Sequence, residues 1–178
     1  MMRTGDLPDS VAGTKRDRAR RIAPWIGIAA LLVVADQITK LVVLGRFSPG
    51  ESLPVTFFFD LVLVYNTGAA FSFLADAGGW QTPVLIGVSL IASGIVGWML
   101  WQNPARRLLD VGLTLILGGA IGNLIDRIAY GKVVDFLHFH AYGWSYPAFN
   151  LADSAITLGA VILIVESFLP GARAKKDA

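Results

Sequence analysis

Cysteine is absent from the 178 residues, which excludes disulfides, a thiolate nucleophile, Cys-ligated zinc and lipidation of this chain at cysteine. Histidine occurs only twice, as His138 and His140, and no HExxH motif accompanies them. Their HxH spacing puts both rings on one face of a strand, but a zinc site needs a third ligand, so they are read as ordinary interface histidines and no metal is assigned. No Gly-x-Ser-x-Gly is present, which removes the signature of a serine hydrolase. Charge is also scarce, at 16% of residues against about 25% in soluble domains. The net charge of +2 is too small and too concentrated at the tails for a nucleic-acid surface. There is no internal repeat. Any chemistry must therefore use oxygen and nitrogen groups.

What the chain has in excess is apolar residues, 54% of the total, with a mean hydropathy of +0.60. Four stretches, about 24–44, 83–101, 108–128 and 150–169, reach the roughly 20 apolar residues that cross a hydrocarbon core. The first is too long for the apolar region of a cleavable signal peptide and is interrupted by Asp36 and Lys40, so it is read as a retained span. The expected fold is an all-α membrane protein of four transmembrane helices. Residues 22–169 form that domain, between a basic tail over 1–21, read as disordered, and a second basic tail over 170–178.

Basic residues set the orientation. Lys15, Arg16, Arg18, Arg20 and Arg21 precede the first span, Arg106 and Arg107 follow the second, and Arg173, Lys175 and Lys176 follow the fourth. The positive-inside rule makes these segments, and both termini, cytoplasmic. The connections at about 45–82 and 129–149 then face outward. The first is rich in Val, Phe and Tyr from Leu53 to Phe73, bounded by Pro54 and Gly78-Gly79, and predicts a small β-structured extracytoplasmic element. The second carries Trp144 and Tyr146, suited to a membrane interface, and its length and composition suggest a lid.

Ionisable groups inside a span cost at least about 2.5 kcal/mol each, so each demands a partner or a use. Asp36 and Lys40, one turn apart, form either a self-satisfied i,i+4 ion pair or part of a site. Asn123, Asp126 and Arg127 share a face near the end of span three, where Arg127 offers Asp126 a salt-bridge partner. Asn150 and Asp153 share a face at the start of span four, where capping alone explains one polar residue but not the cluster. Asp110 and Glu166 lie near cytoplasmic span ends, where snorkelling is easy, and receive no role. Asn123 stands about 22 Å and Asp153 about 24 Å from the cytoplasmic boundary, so the two clusters meet at one level just below the outer surface. Asp135 can fold back over that level.

Two carboxylates in a low-dielectric site cannot both ionise easily, and such a pair can activate water and protonate a leaving amine. Asp135 and Asp153 are the favoured pair, with Asp126 the third candidate. The competing reading is a small proton-coupled transporter with Asp36, Lys40 and Asp126 as its relay. Against it, the acids cluster at the outer side and no chain of them reaches the cytoplasm. A structural membrane subunit is a third reading.

Five blocks in order carry a further signal: Asp36-Gln37-Ile38-Thr39-Lys40, Asn66-Thr67-Gly68-Ala69-Ala70-Phe71-Ser72, Gly119 to Arg127, Val133-Val134-Asp135-Phe136 and Phe149-Asn150-Leu151-Ala152-Asp153-Ser154. Together they resemble bacterial lipoprotein signal peptidase, or signal peptidase II, over about residues 25–169. The resemblance implies an aspartic endopeptidase of the bacterial inner membrane with Asp135 and Asp153 as catalytic dyad. Asp36, Lys40, Asn66, Gly68, Asn123, Asp126, Arg127 and Asn150 would support or line the site. The implied substrate is a prolipoprotein carrying diacylglycerol on its lipobox cysteine, cut just before that cysteine, with no metal or cofactor. Membrane phospholipid is the other expected partner, nucleic acid is not one, and the protein is expected to be a monomer.

Overall fold

A computed structural model describes residues 15–68, 80–102 and 106–169. Four helices, α1 (Lys15–Leu44), α2 (Gln81–Gln102), α3 (Arg107–Tyr130) and α4 (Leu151–Phe168), match the expected spans. Each is long and apolar enough to cross a membrane. Leu31, Ile91, Ile95 and Ile164, among other large apolar side chains, are exposed on the bundle's outside, which suits lipid rather than water. More than half of the apolar stretch of α3 is buried, 56% against 22% or less in the others, so α3 is the central helix against which all three others pack.

Close approach to α3 depends on small residues. A Cβ on Gly119 would stand 2.4 Å from the carbonyl oxygen of Ala152 in α4, and one on Gly118 would stand 2.7 Å from Leu32 in α1. In lipid, where no hydrophobic effect drives helices together, contact at this range supplies the dispersion energy that holds them.

The basic segment 15–21, expected to be part of a disordered tail, is helical as the first turns of α1. The cause lies in its partners. Arg21 donates to the carbonyl oxygens of Leu100 (2.8 Å) and Trp101 (3.3 Å) at the end of α2, satisfying acceptors that a helix terminus leaves free. The same guanidinium is 3.4 Å from Asp110, and Arg18 reaches Gln102. Asp110 and Glu166 do not snorkel: both are buried, Asp110 against Arg21 and Glu166 against Arg106. The expectations for 1–14, 69–79 and 170–178, which include Ala69-Ala70-Phe71-Ser72 and Gly78-Gly79, lie outside the described residues.

Both connections on one end of the bundle contribute to a single antiparallel sheet of β1 (Ser52–Thr56), β2 (Phe59–Asn66), β3 (Val133–Ala141) and β4 (Trp144–Ser145), in that order. The expected β element is therefore present, and it extends into the second connection. That connection is not a lid, because β3 is laddered to β2 from Phe59↔Phe139 to Asn66↔Val133, and swinging it would break those hydrogen bonds. Val43, Leu63, Val134 and Phe136 form the core beneath the sheet and fasten it to the end of α1. Gly131, in the left-handed conformation at φ 70°, ends α3 and turns the chain into β3.

Gly119→Ala should lower stability in detergent by about 1–3 kcal/mol through overpacking. Gly94→Ala, where a Cβ meets nothing within 4 Å, should be neutral or stabilise by up to about 1 kcal/mol. Thermal unfolding of the two variants checks this, and equal melting temperatures would disprove the role given to Gly119.

Candidate active site

Polar residues of α1, α3 and α4 meet in one network at the sheet end of the bundle. Its centre is Lys40, 2% exposed. Its Nζ stands 2.8 Å from Asp36 Oδ2, 2.9 Å from Asp126 Oδ2 and 3.1 Å from Asn123 Oδ1. An ammonium has three hydrogens to donate, and three acceptors surround it. The i,i+4 pair of Asp36 and Lys40 exists, but as part of this larger assembly. Asp126 pairs with Lys40 and not with Arg127 as expected. Arg127 instead donates from Nη2 to the Gly68 carbonyl at 3.1 Å, with Nη1 3.5 Å from the Asn123 carbonyl. The reason is direction: Asp126 points inward toward α1, while Arg127, the next residue on the helix, is turned away by about 100°.

Each acceptor of Lys40 also holds another part of the fold. Asp36 Oδ1 accepts the Ala152 backbone N–H in the first turn of α4 at 3.0 Å, where a carboxylate favours the helix dipole. Asp126 Oδ2 accepts the Val134 N–H at 3.1 Å and so anchors the start of β3. Asn123 donates to Asp153 Oδ1 at 2.7 Å. Gly122 has to be glycine, since a Cβ there would stand 2.7 Å from Asp36 Oδ2.

Asn150 connects the two favoured aspartates. It is the N-cap of α4 and is fully buried. Its side-chain oxygen accepts the Asp153 N–H at 2.9 Å, and Asp153 Oδ2 accepts the Asn150 N–H at 3.3 Å, completing a capping box. Its Nδ2 donates to Asp135 Oδ1 at 2.7 Å, with Asn123 Oδ1 and the Val134 carbonyl each at 3.2 Å. The residue just before it, Phe149, is bridged to Leu137 of β3 by backbone hydrogen bonds in both directions, which brings the start of α4 against Asp135. Asn66 hydrogen-bonds Asp135 from the other side and turns its Oδ1 to the Gly68 N–H at 2.9 Å.

Asp135 is 2% exposed. Burial pushes its carboxyl up to about 7, the Asp153 charge acts in the same direction, and the hydrogen bonds from Asn66 and Asn150 and the Lys40 charge act against it. The two acids open on two clefts. Asp135 lies in a cleft of about 280 Å³ walled by Val64, Tyr65, Asn66, His138 and Ala148. Asp153 lies in an adjoining groove of about 480 Å³ along α4, walled mainly by apolar groups such as Phe139, Phe149, Leu158 and Val161. Tyr146 borders both.

All ten residues singled out from the sequence, Asp36, Lys40, Asn66, Gly68, Asn123, Asp126, Arg127, Asp135, Asn150 and Asp153, fall in or beside this network. Gln37 was missed. Its Nε2 donates to Asp126 Oδ1 at 2.9 Å and lies 3.2 Å from both Asp36 Oδ2 and the Gly122 carbonyl. A polar amide inside an apolar span was signal enough, by the cost argument applied to Asp36.

The family model for signal peptidase (SPase) II matches residues 28–169. A lipoprotein signal peptidase of Ralstonia nicotianae is 49% identical over 155 residues, 87% of this chain and 90% of that protein. The lipoprotein signal peptidase of Cupriavidus necator is 54% identical over 142 residues, 80% of this chain and 81% of its own. Among solved structures, a bacterial membrane enzyme superposes with a TM-score of 0.77 at 28% identity, covering 88% of this chain and 94% of its own.

Lys40→Met should cost about 3–5 kcal/mol of stability, because it leaves Asp36 and Asp126 buried without a counter-charge. Denaturation in mixed detergent measures it, and a loss below about 1 kcal/mol would refute the central role given to Lys40. Asp135 should titrate near 7 in carbon NMR of labelled protein, and Asp153→Asn should lower that value by removing a like charge. Since the folded-state value lies above the ordinary 3.8, the contribution of protonated Asp135 to stability is complete below about 4 and is lost as pH rises through about 7.

Proposed function

The chain belongs to the signal peptidase II family, and on that premise we propose that Asp135 and Asp153 are the catalytic dyad with which this membrane peptidase cuts lipoprotein precursors. The observation that carries the assignment is Asn150, which donates to the Asp135 carboxylate from Nδ2 and to the Asp153 carboxylate from its backbone N–H, while its side-chain oxygen accepts the Asp153 N–H. This fixes two acids side by side in a buried setting. Asp126, the third candidate, is bound to the Lys40 ammonium, to Gln37 and to the Val134 N–H, so its charge is already matched by a buried cation and its place in the fold is structural.

In the resting dyad Asp135 holds the shared proton and Asp153 is the carboxylate. Supporting this, burial pushes Asp135 up to about 7 and the Asp153 charge acts in the same direction, while Asp153 accepts hydrogen bonds on both oxygens, from Asn123 and Asn150. Asp153 takes a proton from water, whose oxygen attacks the scissile carbonyl carbon while Asp135 donates a hydrogen bond to the carbonyl oxygen. Collapse of the tetrahedral intermediate breaks the C–N bond, and the dyad delivers a proton to the leaving amine.

The substrate is a precursor bearing diacylglycerol on the lipobox cysteine, cut just before that cysteine. The two clefts support this division. An extended peptide suits the cleft along β2 at Val64 and Asn66, and the apolar groove along α4 suits hydrocarbon. The enzyme sits in the inner membrane with both termini cytoplasmic and the dyad near the outer face. The ring of Arg18, Arg21 and Arg106 at the end opposite the sheet supports that orientation. Exposed Tyr142 and Trp144 on the sheet suit the phospholipid headgroups. A transporter is not supported: the relay it needs would run through Lys40, whose three hydrogens are already bound.

Asp135→Asn and Asp153→Asn should each reduce cleavage of a diacylglyceryl-modified prolipoprotein by at least about 10³-fold while remaining folded. Near-wild-type cleavage by either would end the dyad assignment. Wild-type kcat should fall as pH rises above about 7, when the shared proton is lost.

A further inference from the structure

Away from the dyad, the sheet gathers a third cluster of chemistry-bearing groups. Asp60 of β2 stands directly opposite His138 of β3, and His140 lies two residues along the same strand, hence on the same face. The imidazole rings lie side by side, 5.3 Å between centroids. His140 Nε2 is 3.1 Å from Asp60 Oδ1, and His138 Nδ1 is 3.9 Å from Asp60 Oδ2. One donor atom from each of the three residues lies within 4.8 Å of the others.

The surroundings orient these groups as a ligand set is oriented. The far nitrogen of His138, Nε2, is engaged by Ser145 Oγ at 2.7 Å, leaving Nδ1 directed at the carboxylate. Ser52 Oγ donates to Asp60 Oδ2 at 3.2 Å. Outer partners of this kind, one on a histidine's second nitrogen and one on a carboxylate, are what metal ligands use to fix tautomer and direction. His140 Nε2 is shut from solvent; its approach to Asp60 falls off the line of a hydrogen bond, and among the described residues no other acceptor reaches it.

We propose that Asp60, His138 and His140 form a three-ligand site for one borderline divalent transition-metal ion, zinc foremost. Tetrahedral zinc takes imidazole nitrogen and carboxylate oxygen at about 2.0–2.2 Å, which separates neighbouring ligand atoms by about 3.3 Å. The Asp60–His140 separation already satisfies that, and since the three donor atoms lie within 4.8 Å of one another, closing the set around an ion takes a shift of at most about 1.5 Å, which side-chain torsions supply. Calcium and magnesium, which require oxygen ligands in larger number, do not fit. The fourth position is left to water. An ion here joins β2 to β3, and through Ser145 to β4, beside the cleft that His138 borders with Asp135. None of the three ligands belongs to the dyad or its hydrogen-bond network, so the site is independent of the peptidase assignment.

Untagged full-length protein in detergent, stripped with a chelator and dialysed, is titrated with zinc chloride against a chromophoric zinc indicator. We expect one ion per chain with micromolar affinity or better, weakened at least tenfold in Asp60→Asn and His140→Gln and about tenfold in Ser145→Ala. Magnesium chloride should not compete. Because the chain has only two histidines, nitrogen NMR of the wild type provides a test that needs no variant, in which zinc should shift the imidazole resonances of both. No binding, equal binding by the folded variants, or zinc that leaves either histidine unshifted would overturn the site and leave an ordinary histidine–aspartate pair.

Discussion

The buried ammonium of Lys40 is the contact on which the rest of the sheet end depends. An ion there incurs a desolvation penalty of several kcal/mol, and only full satisfaction of its three hydrogens makes the position tolerable. That requirement selects Asp36, Asp126 and Asn123, on two different helices, and fixes how α1 meets α3. Since each acceptor also holds a second group, the constraint propagates. Asp36 seats the first turn of α4, Asp126 seats the start of β3 and Asn123 holds the carboxylate of Asp153. The strand carrying one of the two proposed catalytic acids and the helix carrying the other are thus positioned from the same point.

Much of this was legible in the sequence, for a physical reason: in an apolar span a polar residue is so costly that its presence is itself a signal. Asp36, Lys40, Asn123, Asp126 and Asn150 announced themselves in that way, and helix periodicity put the right ones on common faces. The pairing of those residues was less legible, because partners across helices are chosen by rotation and depth. The neighbouring Arg127 seemed the natural counter-charge for Asp126, yet side chains of adjacent residues on a helix diverge, and Lys40 was the group within reach.

Outside the spans the same cost argument loses its force, and the misreadings concentrate there. The second connection is rich in β-branched and aromatic residues from Val133 to Phe139, but its apolar residues do not alternate, so its length and composition suit a lid as well as a strand until the pairing with β2 decides. Asp60 was invisible as a partner of His138, since their meeting depends on the β2–β3 register, which shifts at a bulge between Leu61 and Val64. No local signal fixes that register. The basic residues 15–21 were read for topology alone, although a guanidinium is also a donor that can extend a helix by binding the carbonyl end of another.

Burial of the dyad explains why the enzyme needs a sheet as well as a bundle. Four helices alone can hold acids at a given depth, but a carboxylate on a helix in lipid faces either protein or hydrocarbon, and neither admits water and an extended peptide. Placing Asp135 on a strand solves this. Its backbone is satisfied by β2, its side chain is hydrogen-bonded to the N-cap of α4, and the space between the two strands and residues 145–148 forms a cleft at its carboxyl group. Asp153 remains on the helix, where the capping box fixes it and the apolar groove runs away from it along α4. On the proposed function, an acid on a strand beside a peptide-width cleft and an acid on a helix beside an apolar groove match the two chemical halves of a lipid-modified precursor, peptide and hydrocarbon.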